Sequence, residues 1–232
     1  MPFDIGGFVY DSTFIQDYGK SGVITNGLVL YLDTAFAESY PKGGTTWYDL
    51  SGNGNHGTLT NGPTFNSGNG GSIVFDGTND YVDLNYNFGI FSSYTFSFWA
   101  RQDVANRFLV SYKSSTFSQY WYGDNSWKYI HGGVSGEYYY PKNLNIPLGS
   151  WGNFVVTYDG SNVSIYRQGV FQGQQSTTGT SDWTSGIMLG NAVTINNYAY
   201  GGRISNFGLY NRALSSTEIT QNYNALKGRY GL

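Results

Sequence analysis

Few side chains in this sequence suit covalent or acid–base chemistry, and their spacing narrows the choice further. The 232 residues contain two histidines (His56 and His131), three glutamates (Glu38, Glu137 and Glu218) and no cysteine. A three-imidazole metal centre is excluded, as are disulfides, thiolate nucleophiles and Cys-ligated metal. A Ser-His-Asp triad would have to use one of the two histidines. His56 lies in the turn-rich run 53–57 (NGNHG), His131 precedes Gly132 and Gly133, and neither stands near a G-x-S-x-G turn. Glycosidases place two carboxylates across the scissile bond, and on a strand such a pair would sit at i and i+2. No pair of acids has that spacing in a convincing strand: Asp80 and Asp83 are three apart. The 33 glycines form neither a phosphate loop nor a dinucleotide fingerprint, and read as turn residues. An enzyme is not expected.

Two kinds of binding chemistry remain. In 49–57 (DLSGNGNHG), Asp49, Ser51, Asn53 and Asn55 present alternating oxygens that could hold Ca²⁺. No glutamate closes the segment as in an EF-hand, and short polar side chains in such a loop also bond their own backbone. Asp76 and Asp80 could share a cation, or could stabilise the turn around Gly77 and Asn79. The second feature is an aromatic tract in which Tyr120, Trp121, Tyr122, Trp127 and Tyr129 crowd together, with Tyr112, Phe117 and 138–140 (YYY) nearby. Flat rings with polar rims stack on sugars while Asp124 and Asn125 could bond hydroxyls. They equally suit a protein interface or a sheet core. If the tract is a strand, Trp121 should differ in exposure from Tyr120 and Tyr122.

The elements that would position these groups are strands. Aromatic residues make up 19% of the chain and charged residues 12%, with a net charge of -3, so there is a core to bury and no basic footprint for nucleic acid. No apolar run is long enough to span a membrane, and the start of the chain lacks the basic and apolar regions of a secretory signal. The absence of cysteine fits assembly in a reducing cytosol. Segments 28–32 (LVLYL), 94–101 (YTFSFWAR), 154–159 (FVVTYD), 187–190 (IMLG) and 202–210 (GRISNFGLY) read as strands. Segments 72–77 and 81–84 read as a strand pair joined by a tight turn over 78–80. Segments 163–167 and 170–171 read as a hairpin across Gln168 and Gly169. One helix is expected: Ser215 and Glu218 form a capping box, Ile219, Tyr223 and Leu226 give one apolar face, and Gly228 is its natural stop. Many short strands at this spacing predict an all-β, two-sheet antiparallel sandwich with one short C-terminal helix. Residues 1–26 read as an N-terminal arm outside it. There Phe3, Ile5, Phe8, Tyr10 and Phe14 are the apolar groups available for attachment to a partner.

Taken together, 27–33 (GLVLYLD), 47–57, 74–77 (VFDG), 80–82 (DYV), 96–99 (FSFW) and 210–215 (YNRALS) followed by Glu218 and Ile219 resemble a laminin-G-like domain of the concanavalin A-like lectin/glucanase superfamily. The resemblance spans about 27–230, within a domain of 27–232, and implies a jelly roll. Its wording is most similar to domains of tailed-phage virion proteins. Glucanases of the superfamily carry paired glutamates around an aspartate; here Glu137 stands alone, which agrees with a non-enzymatic chain. The resemblance therefore implies a virion structural protein assembled in the host cytoplasm. Its specific form would be a capsid decoration or cement protein, bound through the arm to other virion proteins and able to form a homo-oligomer. The alternative is a glycan-binding adhesion module of a tail fibre or spike. No cofactor is expected beyond Ca²⁺ at Asp49, Asp76 or Asp80, and no nucleic acid or membrane partner.

Overall fold

The computed structural model describes residues 22–104, 107–112, 118–122, 126–128, 147–191 and 199–232, with two short strands nearer the N-terminus. For strand residues 4–5, 8–9, 107–108, 112, 118–122 and 126–128 only the backbone is described. In chain order the strands are β1 (Asp4–Ile5), β2 (Phe8–Val9), β3 (Leu28–Asp33), β4 (Thr46–Trp47), β5 (Gly57–Thr60), β6 (Thr64–Asn66), β7 (Ser72–Asp76), β8 (Tyr81–Leu84), β9 (Ile90–Phe91), β10 (Tyr94–Gln102), β11 (Arg107–Tyr112), β12 (Ser118–Tyr122), β13 (Ser126–Lys128), β14 (Trp151–Tyr158), β15 (Asn162–Arg167), β16 (Val170–Ser176), β17 (Ser181–Asp182), β18 (Ile187–Leu189) and β19 (Gly201–Tyr210). Helix α1 (Ser216–Leu226) and a 3-10 turn over Lys227–Tyr230 end the chain.

Among the described residues, one sheet runs β16-β15-β14-β10-β19. Beyond β19, β7 pairs with its first half and β3 with its second, and β6 lies outside β7. The other sheet runs β13-β12-β11-β18-β8-β5-β4. Every pairing recorded is antiparallel, including the small pairs β1–β2 and β9–β17.

The period-2 pattern of the strands fixes what lies between the sheets. Leu30, Leu32, Ile73, Phe75, Phe96, Phe98, Phe154, Val156, Ile204, Phe207 and Leu209 from the first sheet meet Trp47, Leu59, Val82, Leu84, Val110, Ile187 and Leu189 from the second. The first sheet is also covered on its outer face. Trp99 and Tyr31 pack with Val23, Leu50, Leu226 and Tyr230, and Val155, Tyr166 and Tyr210 pack with Leu214 and Ile219. That double burial explains why β10 carries Phe98 and Trp99 in succession rather than strict alternation. The Trp99 ring stacks on Tyr230 at 4.0 Å between centroids.

The β15–β16 hairpin turns at Gln168 (φ 51) and Gly169 (φ 74), two positive values in succession as a two-residue type I′ turn requires. The helix cap is also as expected: the Ser215 hydroxyl accepts from Glu218 N at 3.3 Å, and Ser215 N donates to Glu218 Oε2 at 2.8 Å. Arg212 makes the cap rigid by reaching Glu218 Oε2 at 3.0 Å and Oε1 at 2.6 Å.

Three expectations change. The segments 72–77 and 81–84 do not pair: β7 bonds β6 and β19, whereas β8 bonds β5 and β18 in the opposite sheet. Both strands turn alternate apolar residues to the same core, so the turn over 77–80 carries the chain across the sandwich edge. The chain passes Gly228 as a 3-10 turn and stops at Gly231, whose φ of 71 caps that turn. Residues 22–26, grouped with the arm in the sequence, bond to the domain. Ile24 N donates to Asn222 Oδ1 at 2.8 Å, Gln221 Nε2 to Gly22 O at 2.8 Å and Arg212 Nε to Asn26 O at 2.9 Å, while Val23 is buried. Weak patterning hid this, because the partners lie on helix α1 or just before it, nearly two hundred residues away.

Candidate functional site

The aromatic tract forms the outer strands of the second sheet. Strand β12 pairs with β11 on one side and β13 on the other. This sets Trp121 opposite both Arg107 and Trp127, Tyr120 opposite Phe108 and Lys128, and Tyr122 opposite Ser126. Val110 belongs to the core and pairs with Gln119 and Leu189. Cross-strand partners share a row and successive residues alternate. The Trp121–Trp127 pair therefore continues the row of Val110 and Gln119. Tyr120 and Tyr122 continue the row of Ser111, Ser118, Met188, Asp83 and Thr58. The register divides these aromatics into two rows, as a strand reading of the tract requires. Tyr129 lies outside the described residues, as do the side chains of the other four, so the expected contrast in exposure falls there too. Thr58, Asp83, Met188 and Ser111 form a continuous cross-strand row leading to the tract that the sequence did not single out, because it joins four distant strands.

The candidate Ca²⁺ ligands are divided as well. Asp49 is buried, and its Oδ1 accepts from Tyr31 N at 2.9 Å and Ser51 N at 2.8 Å. Its Oδ2 accepts from Asn55 N at 3.0 Å and lies 2.8 Å from the Ser51 hydroxyl. Asn53 and Asn55 donate their side-chain amides to Val29 O at 3.0 and 2.9 Å, which clamps the loop onto β3. Asp49 N in turn donates to His56 Nδ1 at 3.0 Å, so the imidazole proton sits on Nε2. Burial lowers the His56 pKa, with the Asp49 charge opposing it. The other two aspartates lie at the β7–β8 crossover. Asp76 N donates to Asp80 Oδ2 at 3.0 Å and Thr78 N to Asp76 Oδ1 at 2.7 Å. Burial raises the Asp80 pKa; the bond from Asp76 N opposes it and the Asp76 charge adds to it. Tyr31 pairs with Gly208 and Asp76 with Gly201. Seven residues of β19 thus separate the two places, about 24 Å at strand rise. Among the described residues, no three His, Asp or Glu side chains converge as a metal set.

Of the arm residues, Ile5 and Phe8 are register partners in β1–β2, with their side chains outside the described atoms. Phe3, Tyr10 and Phe14 lie outside the described residues altogether. Nothing in the sequence pointed to an ion pair between the buried Asp33 and the half-buried Arg229, which are 196 positions apart. Arg229 Nη1 lies 2.8 Å from both Asp33 oxygens, and the Tyr31 hydroxyl donates to Oδ2 at 2.9 Å. Burial, and secondarily the Asp33 charge, push the Tyr31 hydroxyl well above the usual phenol range. This cluster fastens the C-terminal turn to β3.

The family described as the concanavalin A-like lectin/glucanases superfamily, Laminin_G_3, matches residues 76–220, well over half of the chain. The chain belongs to this family. None of the curated proteins matches it in sequence. Several solved structures share the laminin-G-like fold. Domain 4 of AbnA, an extracellular GH43 arabinanase from Geobacillus stearothermophilus in complex with arabinotriose, superposes with a TM-score of 0.60 at 19% identity. That match covers 84% of this chain and 98% of that one. The binding domain of Paraclostridial Mosquitocidal Protein 1 gives 0.67 at 18% identity, covering 87% and 52%. Trypanosoma rangeli sialidase in complex with sialic acid gives 0.66 at 15% identity, covering 93% and 38%. The chain thus spans about half of the toxin binding domain and less of the sialidase. At these identities the likeness concerns the fold.

Proposed function

We propose that this laminin-G-like chain is a non-catalytic carbohydrate-binding module that attaches to glycan-bearing surfaces through the β12–β13 hairpin. The observation that carries the proposal is the register of that hairpin. It sets Tyr120 and Tyr122 in one row at the rim of a sheet and pairs Trp121 with Trp127 in the other. Aromatic rings held on neighbouring strands suit the flat faces of sugar rings, and the backbone ladder supplies the rigidity that lets stacking contribute to affinity. Further support comes from the arabinanase domain of the same fold, solved with arabinotriose, and from the binding domain of the mosquitocidal protein.

The test is binding of the full chain to immobilised arabinan, sialylated glycans and bacterial surface polysaccharides. Tyr120→Ala and Tyr122→Ala, in the row that does not continue from the core residue Val110, are expected to weaken binding by about tenfold each, the scale of one lost aromatic contact. Absence of binding to every glycan class, or binding unchanged in both variants, overturns the proposal.

The rival is a virion structural role, with the chain as a capsid decoration protein. One observation favours it. The β1–β2 pairing has two residues per strand, too few to stand alone in water, so it needs a further surface to pack on, which in this reading a partner would supply. Binding to purified phage particles that is lost on deleting residues 1–21, with no glycan binding, would establish that role instead.

A further inference from the structure

The outer face of the first sheet is covered along part of its length. Helix α1 and the 3-10 turn lie over Trp99, Tyr31 and Tyr210, and the row beside Trp99 marks the margin of that cover. The register defines this row. Trp151 on β14 pairs with Arg101 on β10, Arg101 with Arg203 on β19, Arg203 with Val74 on β7, and Val74 with Thr64 on β6. The first four are half-buried and Thr64 is exposed. At about 4.8 Å per strand, the row is about 19 Å long.

Two arginines directly opposite each other on neighbouring strands repel. Asp103 offsets only one of them. Its Oδ1 lies 2.7 Å from Arg101 Nε, whereas its Oδ2 is 3.9 Å from Arg203 Nε, too far for a hydrogen bond. One positive charge is therefore in excess. Both arginines keep part of their side-chain surface in water, 29% for Arg101 and 26% for Arg203, and among the described residues their Nη groups make no hydrogen bond. The Trp151 ring is fixed beside them. It packs against Tyr230 at 5.0 Å between centroids, and its Nε1 donates to Asn69 Oδ1 at 3.1 Å. Asn69 holds a left-handed backbone (φ 56) and donates its own amide to Arg229 O at 2.9 Å. It belongs to the turn between β6 and β7, and β7 lies three strands from β14. That turn therefore folds over the face, and the indole points across the sheet toward the strands that carry the arginines.

We propose that this row is a further binding site, for a sugar that carries a carboxylate. The pyranose ring lies against the Trp151 indole, and the carboxylate takes the Nη groups of Arg101 and Arg203 in charge-assisted hydrogen bonds. The charge decides the class of ligand. One excess positive charge suits one carboxylate, whereas a dense polyanion would meet Asp103 and a chain of net charge -3. A flat ring held rigid at the end of the row suits a sugar better than an acidic peptide. Asp103 competes with the ligand for both guanidinium groups. The site lies on the opposite sheet from the β12–β13 hairpin, and it stands whether or not that hairpin binds glycans.

The test is calorimetric titration of the full chain with trigalacturonate, with its methyl ester and with sialyllactose. The two acids present the shared chemistry on a uronic and on a sialic acid, so whichever binds names the source. The ester keeps the ring and loses the charge, and should bind at least about tenfold more weakly than the acid. Arg203→Gln and Trp151→Ala should each weaken binding by about tenfold, with thermal melting to check that each variant folds. Asp103→Asn removes the competing carboxylate and should tighten binding by a few fold, which a merely structural role for Asp103 would not produce. No binding of either acid, equal binding of acid and ester, or affinity indifferent to both Arg101→Gln and Arg203→Gln overturns the inference. So does binding lost in Tyr120→Ala and kept in both arginine variants, which would place it at the hairpin. Tighter binding of a polyglutamate peptide also overturns it, giving the face to an acidic protein segment.

Discussion

Asp49 decides whether the 49–57 loop is a backbone-bonded turn or a cation site, and replacing it measures which. The carboxylate accepts from the backbone N–H groups of Tyr31, Ser51 and Asn55, all within 3.0 Å. In Asp49→Ala, Tyr31 N is left on a buried strand where water does not reach, while Ser51 N and Asn55 N lie nearer the surface and recover part of their bonding from water. One buried orphan donor at about 2 kcal/mol and two partly rehydrated ones at about 1 kcal/mol each give a loss of about 4 kcal/mol. For a chain of this size that corresponds to a fall of about 8–16 °C in melting temperature. Asp49→Asn keeps one carbonyl oxygen but turns an N–H₂ group toward Asn55 N, and should cost about half as much. The assay is thermal and urea denaturation of wild type and both variants, each with excess Ca²⁺ and with a chelator. The expected result is a large loss in Asp49→Ala, an intermediate one in Asp49→Asn, and curves insensitive to Ca²⁺ throughout. A cost below about 1 kcal/mol for the alanine variant would refute the hydrogen-bond account. Chelator-induced loss in wild type that vanishes in Asp49→Ala would show that a cation contributes there.

His56 accepts a bond at Nδ1 and has a lowered pKa in the folded chain, so the unfolded state binds more protons below its ordinary value near ~6.5. Stability should therefore decline as pH falls from about 7 toward 5, and urea titrations of His56→Leu should show a shallower slope there. Glu218 shows the opposite charge logic: Arg212 holds its carboxyl at about 2, so the stabilisation is present above the ordinary carboxyl range and disappears as pH falls toward that value. Glu218→Ala should cost about 1–2 kcal/mol near neutrality and remove that acid-side dependence, as followed by helical circular dichroism. Gly57→Ala would set a methyl group 2.6 Å from Val82 Cγ1 and should destabilise by about 1–3 kcal/mol in denaturant titrations.

The local devices of this protein were legible in the sequence because each is written within a few residues. The Ser215–Glu218 capping box, the Gln168–Gly169 turn and the strand over 94–101 act over one turn or one strand, and each formed as expected. The laminin-G-like resemblance lies in the same category, since its motifs are short runs whose order survives in the chain. The structure decided what depends on which strands become neighbours. Strands β7 and β8 look alike in pattern, and only their placement in opposite sheets shows that 77–80 crosses the sandwich rather than closing a hairpin. The aromatic tract and the alternation of Trp121 with Tyr120 and Tyr122 were visible in the sequence, yet the pairing of Trp121 with Trp127 came from the register of β12 with β13. Asp33 and Arg229, and residues 22–26 on helix α1, meet across almost the whole chain. Local patterning has no means of encoding such meetings, because which distant elements touch is settled by the burial of the shared core rather than by any one segment.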